Sequence, residues 1–331
     1  MRPFEYRLAS SRSDAVRLGA APQPAASFLA GGTTLVDLMK LDVMRPGLLI
    51  DVNGLADELG AISAGSDGLR LGALARMADT AEHPDIVRDY PVIAQSLQLA
   101  ASAQLRNMAS LGGNVLQRTH CLYFRDVSWA CNKRNPGSGC SALGGIARNL
   151  AILGTSDHCI ANYPGDFAVA LAALDARVEL ENPAGRRKIA FADLHRLPGD
   201  APHVETTLRP GEMIVGFEIP AAAWTRRSLY LKIRDRQSYE FALASAAVAL
   251  DLDGDIVREA RIGLGGVAAK PWRSTEAEAV LRGAALTEDA ARSAAEAAFA
   301  TARAQGDRAF KLDLGRQTLA RALMQARAME I

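Results

Sequence analysis

The chain has 331 residues, of which 49% are hydrophobic and 23% are charged, so it can bury sizeable cores and is not a disordered protein. Its 38 Lys and Arg residues oppose 37 Asp and Glu residues, leaving a net charge of +1. This balance gives no indication of a nucleic-acid or membrane-surface partner. No run of eighteen apolar residues and no signal peptide occurs, so the sequence by itself predicts a cytoplasmic protein without a membrane span.

The first elements in chain order alternate between strand and helix patterns. ASFLAGGTTLV, residues 26–36, predicts a strand, a glycine turn and the start of a helix. GLLIDVNGL (47–55) and GLRLGALA (68–75) are further strand candidates. We therefore expect an α/β opening over residues 1–60, with a boundary near Gly60.

The middle and last parts of the chain differ in their pattern. Residues 91–110 favour a helical stretch, and GEMIVGFEIP (211–220) favours an edge or half-buried strand that stops at Pro220. Beyond it, FALASAAVALDLDGDIVREARIGLGGVA predicts two strands joined at Asp253-Gly254, and Ala-rich helices follow Trp272. The pattern predicts three compact subdomains that share one interface.

Two glycine pairs are the first candidates for a binding site. Gly31-Gly32 precedes Thr33 and Thr34, and a second pair stands in SLGGNVL, residues 110–116. Such turns let backbone N–H groups approach an anion closely, although a lone pair is more often only a tight turn after a strand. Neither a P-loop nor a G-x-G-x-x-G motif is present. Two such turns about eighty residues apart suit the two halves of a long dinucleotide, and this favours FAD.

All four cysteines lie within one short stretch, with the spacing C-x9-C-x8-C-x18-C from Cys121 to Cys159. Cys131 and Cys140 flank NKRNPGSG, a polar, turn-forming sequence that is not typical of a hydrophobic core. Two disulfides, a structural zinc site and a [4Fe-4S] cluster all remain compatible with this spacing. Lys133 and Arg134 would offset the negative charge of a thiolate-ligated cluster.

Five motifs together resemble one known family. They are AGGTTLVDLMKLDV (30–43), QLRNMASLGGNVLQRTHC (104–121), PGDFAVALAALDA (164–176), GEMIVGFEIP (211–220) and GGVAAKPWR (265–273). Their order and separation resemble the FAD-binding subunits of the xanthine dehydrogenase family of molybdenum hydroxylases. The CNKRNPGSGC loop is similar to that of the flavin and [4Fe-4S] subunits of bacterial periplasmic aldehyde oxidoreductases.

The resemblance implies an α+β fold with an α/β opening. It implies a two-subdomain FAD-binding fold of the vanillyl-alcohol-oxidase/molybdenum-hydroxylase flavoprotein type, followed by a C-terminal domain with an antiparallel sheet and helices. The expected units are FAD-binding subdomain 1 (1–60), FAD-binding subdomain 2 (61–222) with an inserted cluster loop (about 117–163), and the C-terminal flavoprotein domain (223–331).

The resemblance also assigns site residues. Lys232 would stabilise an anionic reduced flavin, with a solvated surface charge as the alternative, and Tyr239 would cover the flavin ring or belong to the core. In the first motif, Thr34 stands where relatives commonly have Asn. The implied FAD contacts are Ser27, Phe28, Leu29, Ala30, Gly31, Gly32, Thr33, Thr34, Leu35, Ser110, Gly112, Gly113, Asn114, Asp166, Ile214 and Lys232. The implied cluster ligands are Cys121, Cys131, Cys140 and Cys159.

The implied chemistry takes place largely in partner chains. An aldehyde would be oxidised to the carboxylic acid at a molybdenum cofactor in a large subunit. Electrons would pass through two [2Fe-2S] clusters of a small subunit to FAD and on to an external acceptor, in a heterotrimer. No catalytic residue is expected in this chain, because its five histidines are scattered: His83, His120, His158, His195 and His203.

Three alternatives concern function and location. The chain would otherwise be a flavin-free scaffold with a four-cysteine zinc site, or a stand-alone FAD oxidoreductase acting on its own substrate. The resemblance favours the periplasm, reached by export of the folded complex with a partner that carries a twin-arginine signal. The cytoplasm is the alternative location.

Overall fold

The structure, a computed structural model, describes all 331 residues. It contains three sheets surrounded by helices. The strands are β1 (Glu5–Leu8), β2 (Ala26–Leu29), β3 (Leu48–Asp51), β4 (Ile62–Gly65), β5 (Gly68–Gly72), β6 (Arg177–Asn182), β7 (Gly185–Ala190), β8 (Met213–Pro220), β9 (Ser228–Ile233), β10 (Ala244–Asp253), β11 (Ile256–Gly265) and β12 (Trp272–Arg273). The α-helices are α1 (Arg12–Gly19), α2 (Leu35–Lys40), α3 (Ala56–Leu59), α4 (Met77–Glu82), α5 (Pro84–Asp89), α6 (Pro91–Gln98), α7 (Ala103–Met108), α8 (Leu111–Val115), α9 (Leu122–Arg125), α10 (Asp166–Ala173), α11 (Thr275–Leu281), α12 (Glu288–Ala298) and α13 (Phe310–Arg327).

The first sheet is small and parallel, with the order β1-β3-β2. Its central strand contributes Ile50, which is fully buried together with Val16 of α1. The parallel order places the ends of β2 and β3 at the same edge of the sheet. The loop that leaves β2 therefore starts beside Asp51 and Asn53, which follow from β3.

The second sheet has five antiparallel strands in the order β4-β5-β8-β6-β7. The prediction of an edge or half-buried strand for residues 211–220 was wrong, because β8 pairs on both sides, with β5 and with β6. Its end at Pro220 was correct. Helix α10 packs into the largest core of the protein with every residue buried, including Asp166.

The helical stretch predicted for residues 91–110 is interrupted. Helix α6 ends at Gln98 and α7 begins only at Ala103. Between them Ala101 has φ of +50°, a left-handed conformation that an α-helix does not continue through. The break turns the chain toward the second glycine pair.

The third sheet is antiparallel, with the order β12-β11-β10-β9. The predicted hairpin at Asp253-Gly254 is confirmed, with φ of +57° at Gly254. One face of this sheet carries α11, α12 and α13, and the other face meets α10. Gly263 allows that approach, since a Cβ there would lie 2.5 Å from the carbonyl oxygen of Val169.

The cysteine-bearing insertion, residues 117–163, is mostly irregular, with short helical turns at α9 and Ser141–Leu143. Its base is tied to the start of α13. Asp307 accepts a 2.7 Å hydrogen bond from the Ala147 N–H, and the Lys311 ammonium donates to the carbonyl oxygens of Leu150 (3.0 Å) and Gly266 (2.7 Å). We call these contacts the α13 anchor. No helix in the structure is long and apolar enough to cross a membrane.

Candidate functional site

The first glycine loop, residues 30–34, connects β2 to α2. Gly32 has φ of +72°, so the turn uses the freedom of glycine. The backbone N–H groups of residues 30–35 donate to no acceptor within the protein, whereas the carbonyl of Gly32 accepts from Val36. Consecutive free N–H groups form a concave site for an anion such as a diphosphate. We call this segment the amide nest.

The second glycine loop is built differently, because its N–H groups already have partners. Ser110 caps α8, and its hydroxyl accepts from the Gly113 N–H at 3.3 Å. The Gly112 N–H donates to the carbonyl of Ala73 at 2.8 Å, and a Cβ on Gly112 would lie 3.1 Å from Ala73. The absence of a side chain at Gly112 thus allows α8 to pack closely against Ala73. The Nδ2 atom of Asn114 donates to the Met77 sulfur at 3.4 Å, whereas its buried Oδ1 has no partner and is the atom left to meet a ligand.

A cavity of about 270 Å³ lies between the two loops. It is bounded by thirteen of the sixteen residues to which the sequence assigned FAD contacts: Ser27, Phe28, Ala30, Gly31, Gly32, Thr33, Thr34, Leu35, Ser110, Gly112, Gly113, Asn114 and Ile214. Leu29 stands behind this wall at the end of β2. The remaining two, Asp166 and Lys232, lie elsewhere.

A second cavity, of about 470 Å³, adjoins the first, and Thr33, Thr34, Ala109 and Asn114 border both. Its aromatic and polar lining includes His120, Asp166, Arg236, Tyr239 and Phe241. The His120 and Phe241 rings lie 4.2 Å apart between centroids. Burial lowers the pKa of His120 to about 4, so this ring is neutral at pH 7.

Tyr239 stands at the rim of the second cavity. Its φ is +52°, the residue is 57% exposed, and its carbonyl accepts a hydrogen bond from Arg236. The core alternative for Tyr239 was therefore wrong. A non-glycine residue in the left-handed region is uncommon and often marks a functional position.

Asp166 lies at the wall of the second cavity with both oxygens engaged. Oδ1 accepts from the Tyr230 hydroxyl and Oδ2 from the Lys232 ammonium, each at 2.7 Å. The Tyr230 oxygen also meets the Ser245 hydroxyl at 2.8 Å. Burial raises the pKa of Asp166 from its ordinary value, and the charge of Lys232 opposes that shift.

Lys232 is 1% exposed, so the alternative of a solvated surface charge was wrong. Its ammonium also donates to the carbonyl of Leu99 at 3.0 Å. Lys232 is not part of either cavity wall. Its charge acts on the second cavity from behind Asp166, to which it is bonded.

The four cysteines converge in one small cluster of the insertion. Cys121, Cys131 and Cys159 are buried, Cys140 packs against them, and none forms a disulfide. Burial raises the pKa of Cys121, and the nearby backbone N–H groups of Phe124 and Tyr123 oppose this shift. Burial raises the pKa of Cys159 to about 11, opposed by the charge of Lys133 and an N–H bond from Ala161. Backbone donors of this kind stabilise thiolates when a metal replaces the proton.

No group of three or more His, Cys, Asp or Glu side chains in the chain is placed to hold a metal ion. A zinc site and a [4Fe-4S] cluster at the four cysteines therefore both stay predictions. Arg134 donates to the carbonyls of Tyr123 and Phe124, so it also holds the loop in place.

Sequence reasoning missed His120, Phe241 and Tyr230. His120 was grouped with the scattered histidines, although its position directly before Cys121 was a usable signal. The pairing of Tyr230 with Asp166 spans 64 residues and leaves no mark in either local sequence. His195 has a structural role, since its Nε2 and the Tyr163 hydroxyl both bond to the carbonyl of Val115 at 2.9 Å.

The amide nest borders two adjoining cavities, and the two glycine loops belong to a small parallel sheet and a larger antiparallel one. This arrangement is that of a protein that binds a long dinucleotide. The model of the FAD binding domain in molybdopterin dehydrogenase matches residues 2–222, and that of the CO dehydrogenase flavoprotein C-terminal domain matches residues 229–326. Together they span almost the whole chain. The chain therefore belongs to the FAD-binding flavoprotein subunits of the molybdenum hydroxylase and CO dehydrogenase family.

Individual relatives agree with this assignment. The chain is 46% identical over 330 residues to the aldehyde oxidoreductase FAD-binding subunit PaoB of Escherichia coli (strain K12), covering 99% of each chain. It is 28% identical to the carbon monoxide dehydrogenase medium chain of Hydrogenophaga pseudoflava, covering 98% of this chain and 96% of that one. A solved structure of carbon monoxide dehydrogenase from Hydrogenophaga pseudoflava superimposes with a TM-score of 0.77 at 27% identity, covering 99% of each chain.

These findings confirm the fold class, FAD binding and membership of an oxidoreductase complex. The free N–H groups of the amide nest fit the diphosphate of FAD, and the unpartnered Oδ1 of Asn114 fits a donor group of the dinucleotide. The roles of single site residues and the [4Fe-4S] cluster stay predictions.

Proposed function

We propose that this chain is the FAD- and [4Fe-4S]-containing electron-transfer subunit of a molybdenum-dependent aldehyde oxidoreductase. The identity of 46% over 99% of both chains to an aldehyde oxidoreductase FAD-binding subunit supports the substrate class. The partners would be a large molybdenum-cofactor subunit and a small subunit with two [2Fe-2S] clusters, in a heterotrimer. Aldehyde and water would yield carboxylic acid, two protons and two electrons in the large subunit.

FAD, when bound, supplies a store for these two electrons between the clusters of the small subunit and an external acceptor. The amide nest would hold its diphosphate, because six consecutive N–H groups of residues 30–35 have no other acceptor. This is the observation on which the binding mode chiefly rests. The second cavity, which is larger and has aromatic walls, would receive the flavin ring, and the first would receive the other half of the dinucleotide.

The protein's own groups would act on the flavin by electrostatics. Asp166 lies at the cavity wall and Lys232 behind it, so the pair presents a balanced charge to a bound ring. Tyr239, exposed at the rim, would cover the ring from the solvent side. No side chain of this site needs to act on the aldehyde.

Four free thiols in one cluster support a [4Fe-4S] site. A bound cubane would add a one-electron relay beside the flavin. His120 borders the second cavity and is followed directly by Cys121, so the two cofactors would stand next to each other. The N–H groups that reach Cys121 and Cys159 would stabilise the thiolate form of both ligands.

The test is an absorption spectrum of the anaerobically purified chain, with flavin, iron and zinc measured on the same sample. We expect flavin bands on a broad brown absorbance and about four iron atoms per chain. The double variant Cys131→Ser/Cys140→Ser should lose the iron and keep the flavin, while Ser141→Ala in the same loop should keep both. A colourless wild type with one zinc would instead favour the scaffold hypothesis. Aldehyde turnover by the isolated chain would favour a stand-alone FAD oxidoreductase.

For the location we propose the periplasm, reached by co-export with a signal-bearing partner. The similarity of the cysteine loop to periplasmic relatives supports it, and the cytoplasm is the alternative. Fractionation of cells that produce all three subunits tests the proposal. Retention of the complex in the cytoplasm, with a small subunit that lacks a twin-arginine segment, would overturn it.

A further inference from the structure

The two glycine loops come from different sheets, so something must hold them in register. The first loop leaves β2 of the parallel sheet, and the second follows α7 in the unit of the five-stranded sheet. They touch backbone to backbone. A Cβ on Gly31 would overlap the carbonyl group of Met108, with 2.7 Å to its carbon, and would lie 3.0 Å from the Cα of Ala109.

Beside this contact a relay of side chains joins the same two loops. Asn53 follows β3, and its Nδ2 donates to the carbonyl of Ala30 at 3.0 Å. Its Oδ1 accepts from Nη2 of Arg76 at 3.2 Å. The Nη1 atom of Arg76 donates to the carbonyl of Met108. Each end of the relay therefore grips the backbone of one glycine loop.

The relay is fixed at its Asn53 end. Oδ1 of Asp51 accepts from both the N–H and the Nδ2 of Asn53, each at 2.8 Å. Oδ2 of Asp51 accepts from the Tyr6 hydroxyl at 2.5 Å. Both hydrogens of the Asn53 amide and its oxygen are thus engaged, so this side chain has one orientation. The two acceptors of Arg76 are neutral, and the carboxylate of Asp51 bonds to Asn53 rather than to Arg76.

We infer that Arg76 and Asn53 are positioning residues that set the distance between the two glycine loops and thereby the affinity for FAD. The inference rests on the proposed binding mode. Neither side chain borders a cavity, so both act through the backbone of Ala30 and Met108. The charge of Arg76 adds attraction for a diphosphate held in the adjacent nest.

The test compares Arg76→Met, Arg76→Lys and Asn53→Ala with wild type, using the full chain from which flavin has been removed. The dissociation constant for FAD is measured by quenching of flavin fluorescence, and stability without flavin by urea unfolding. Loss of a charged hydrogen bond predicts about a tenfold rise in the dissociation constant for Arg76→Met. Arg76→Lys should recover part of it, since one ammonium can still reach one acceptor.

The matched control is Arg70→Met, which removes an exposed arginine of β5 that pairs with Glu179 and Glu218. It should leave FAD affinity unchanged. If Arg76→Met and Asn53→Ala bind FAD as wild type does, or lose affinity only in proportion to their loss of stability, the inference is wrong. A wild-type chain that fails to bind FAD at all would contradict the proposed binding mode instead. Asn53→Ala and Arg76→Lys keep the test decisive if Arg76→Met does not fold.

Discussion

At Gly31 the two glycine loops are in backbone contact, and there is no room between them for one additional methyl group. In Gly31→Ala the new Cβ would lie 2.7 Å from the Met108 carbonyl carbon and 3.0 Å from the Cα of Ala109. Carbon atoms pack at about 3.5–4.0 Å, so the loops must part by about 1 Å. Both neighbours are backbone, and neither can rotate away.

A shift of that size would break one or two of the hydrogen bonds that the amide nest would make to an anionic diphosphate. Such bonds contribute roughly 1.5–3 kcal/mol each, so we expect FAD affinity to fall by about a hundredfold or more. The assay is a flavin titration of the flavin-free chain, followed by fluorescence. Gly65→Ala is the control, because a Cβ at Gly65 meets nothing within 4 Å and should leave binding unchanged. A folded Gly31→Ala chain with wild-type affinity would refute the reasoning.

Three further predictions concern buried polar groups. Burial lowers the pKa of His195 to about 4, so the unfolded state binds a proton at this residue before the folded state does. The free energy of unfolding should therefore fall by about 3 kcal/mol between pH 6.5 and 4. Urea unfolding of His195→Gln across this range should lack that contribution. Burial lowers the pKa of Lys311 to about 7, so the unfolded state takes up the proton first as the pH falls from 10.5 to 7. Wild type should therefore lose stability relative to Lys311→Met over this range. A difference in free energy of unfolding that stays constant with pH would contradict this. Tyr230→Phe leaves one oxygen of Asp166 without its donor and should cost about 1–3 kcal/mol in urea unfolding, more than Tyr163→Phe, whose carbonyl acceptor keeps its bond from His195.

The features that could be predicted from the sequence are those that local residues determine. Gly31-Gly32 between a strand and a helix, and the hairpin at Asp253-Gly254, depend on backbone conformations that neighbouring residues specify. Thirteen of the residues to which the family motifs assign FAD contacts line one cavity, and their contacts with FAD stay predictions. These predictions needed no knowledge of contacts distant in sequence.

The features that were missed depend on pairing across the chain. GEMIVGFEIP reads as a half-exposed strand, yet β8 is central because β5 and β6, from either side in sequence, both pair with it. Lys232 alone has the sequence signature of a surface charge, and only Asp166, 66 residues away, explains its burial. The relay of Arg76 and Asn53 joins residues 23 positions apart and has no periodic signal.

The α13 anchor also orders events during synthesis of the protein. Residues 303–311 bond to the base of the cysteine insertion at Ile152, Ala147 and Leu150. They leave the ribosome about 150 residues after the insertion, at synthesis rates of roughly 5–20 residues per second. The bonds that fix the base of the insertion therefore form only when the chain is nearly complete. Nascent chains arrested before residue 303 lack these bonds, and their cysteines should be more open to alkylation than those of the finished chain.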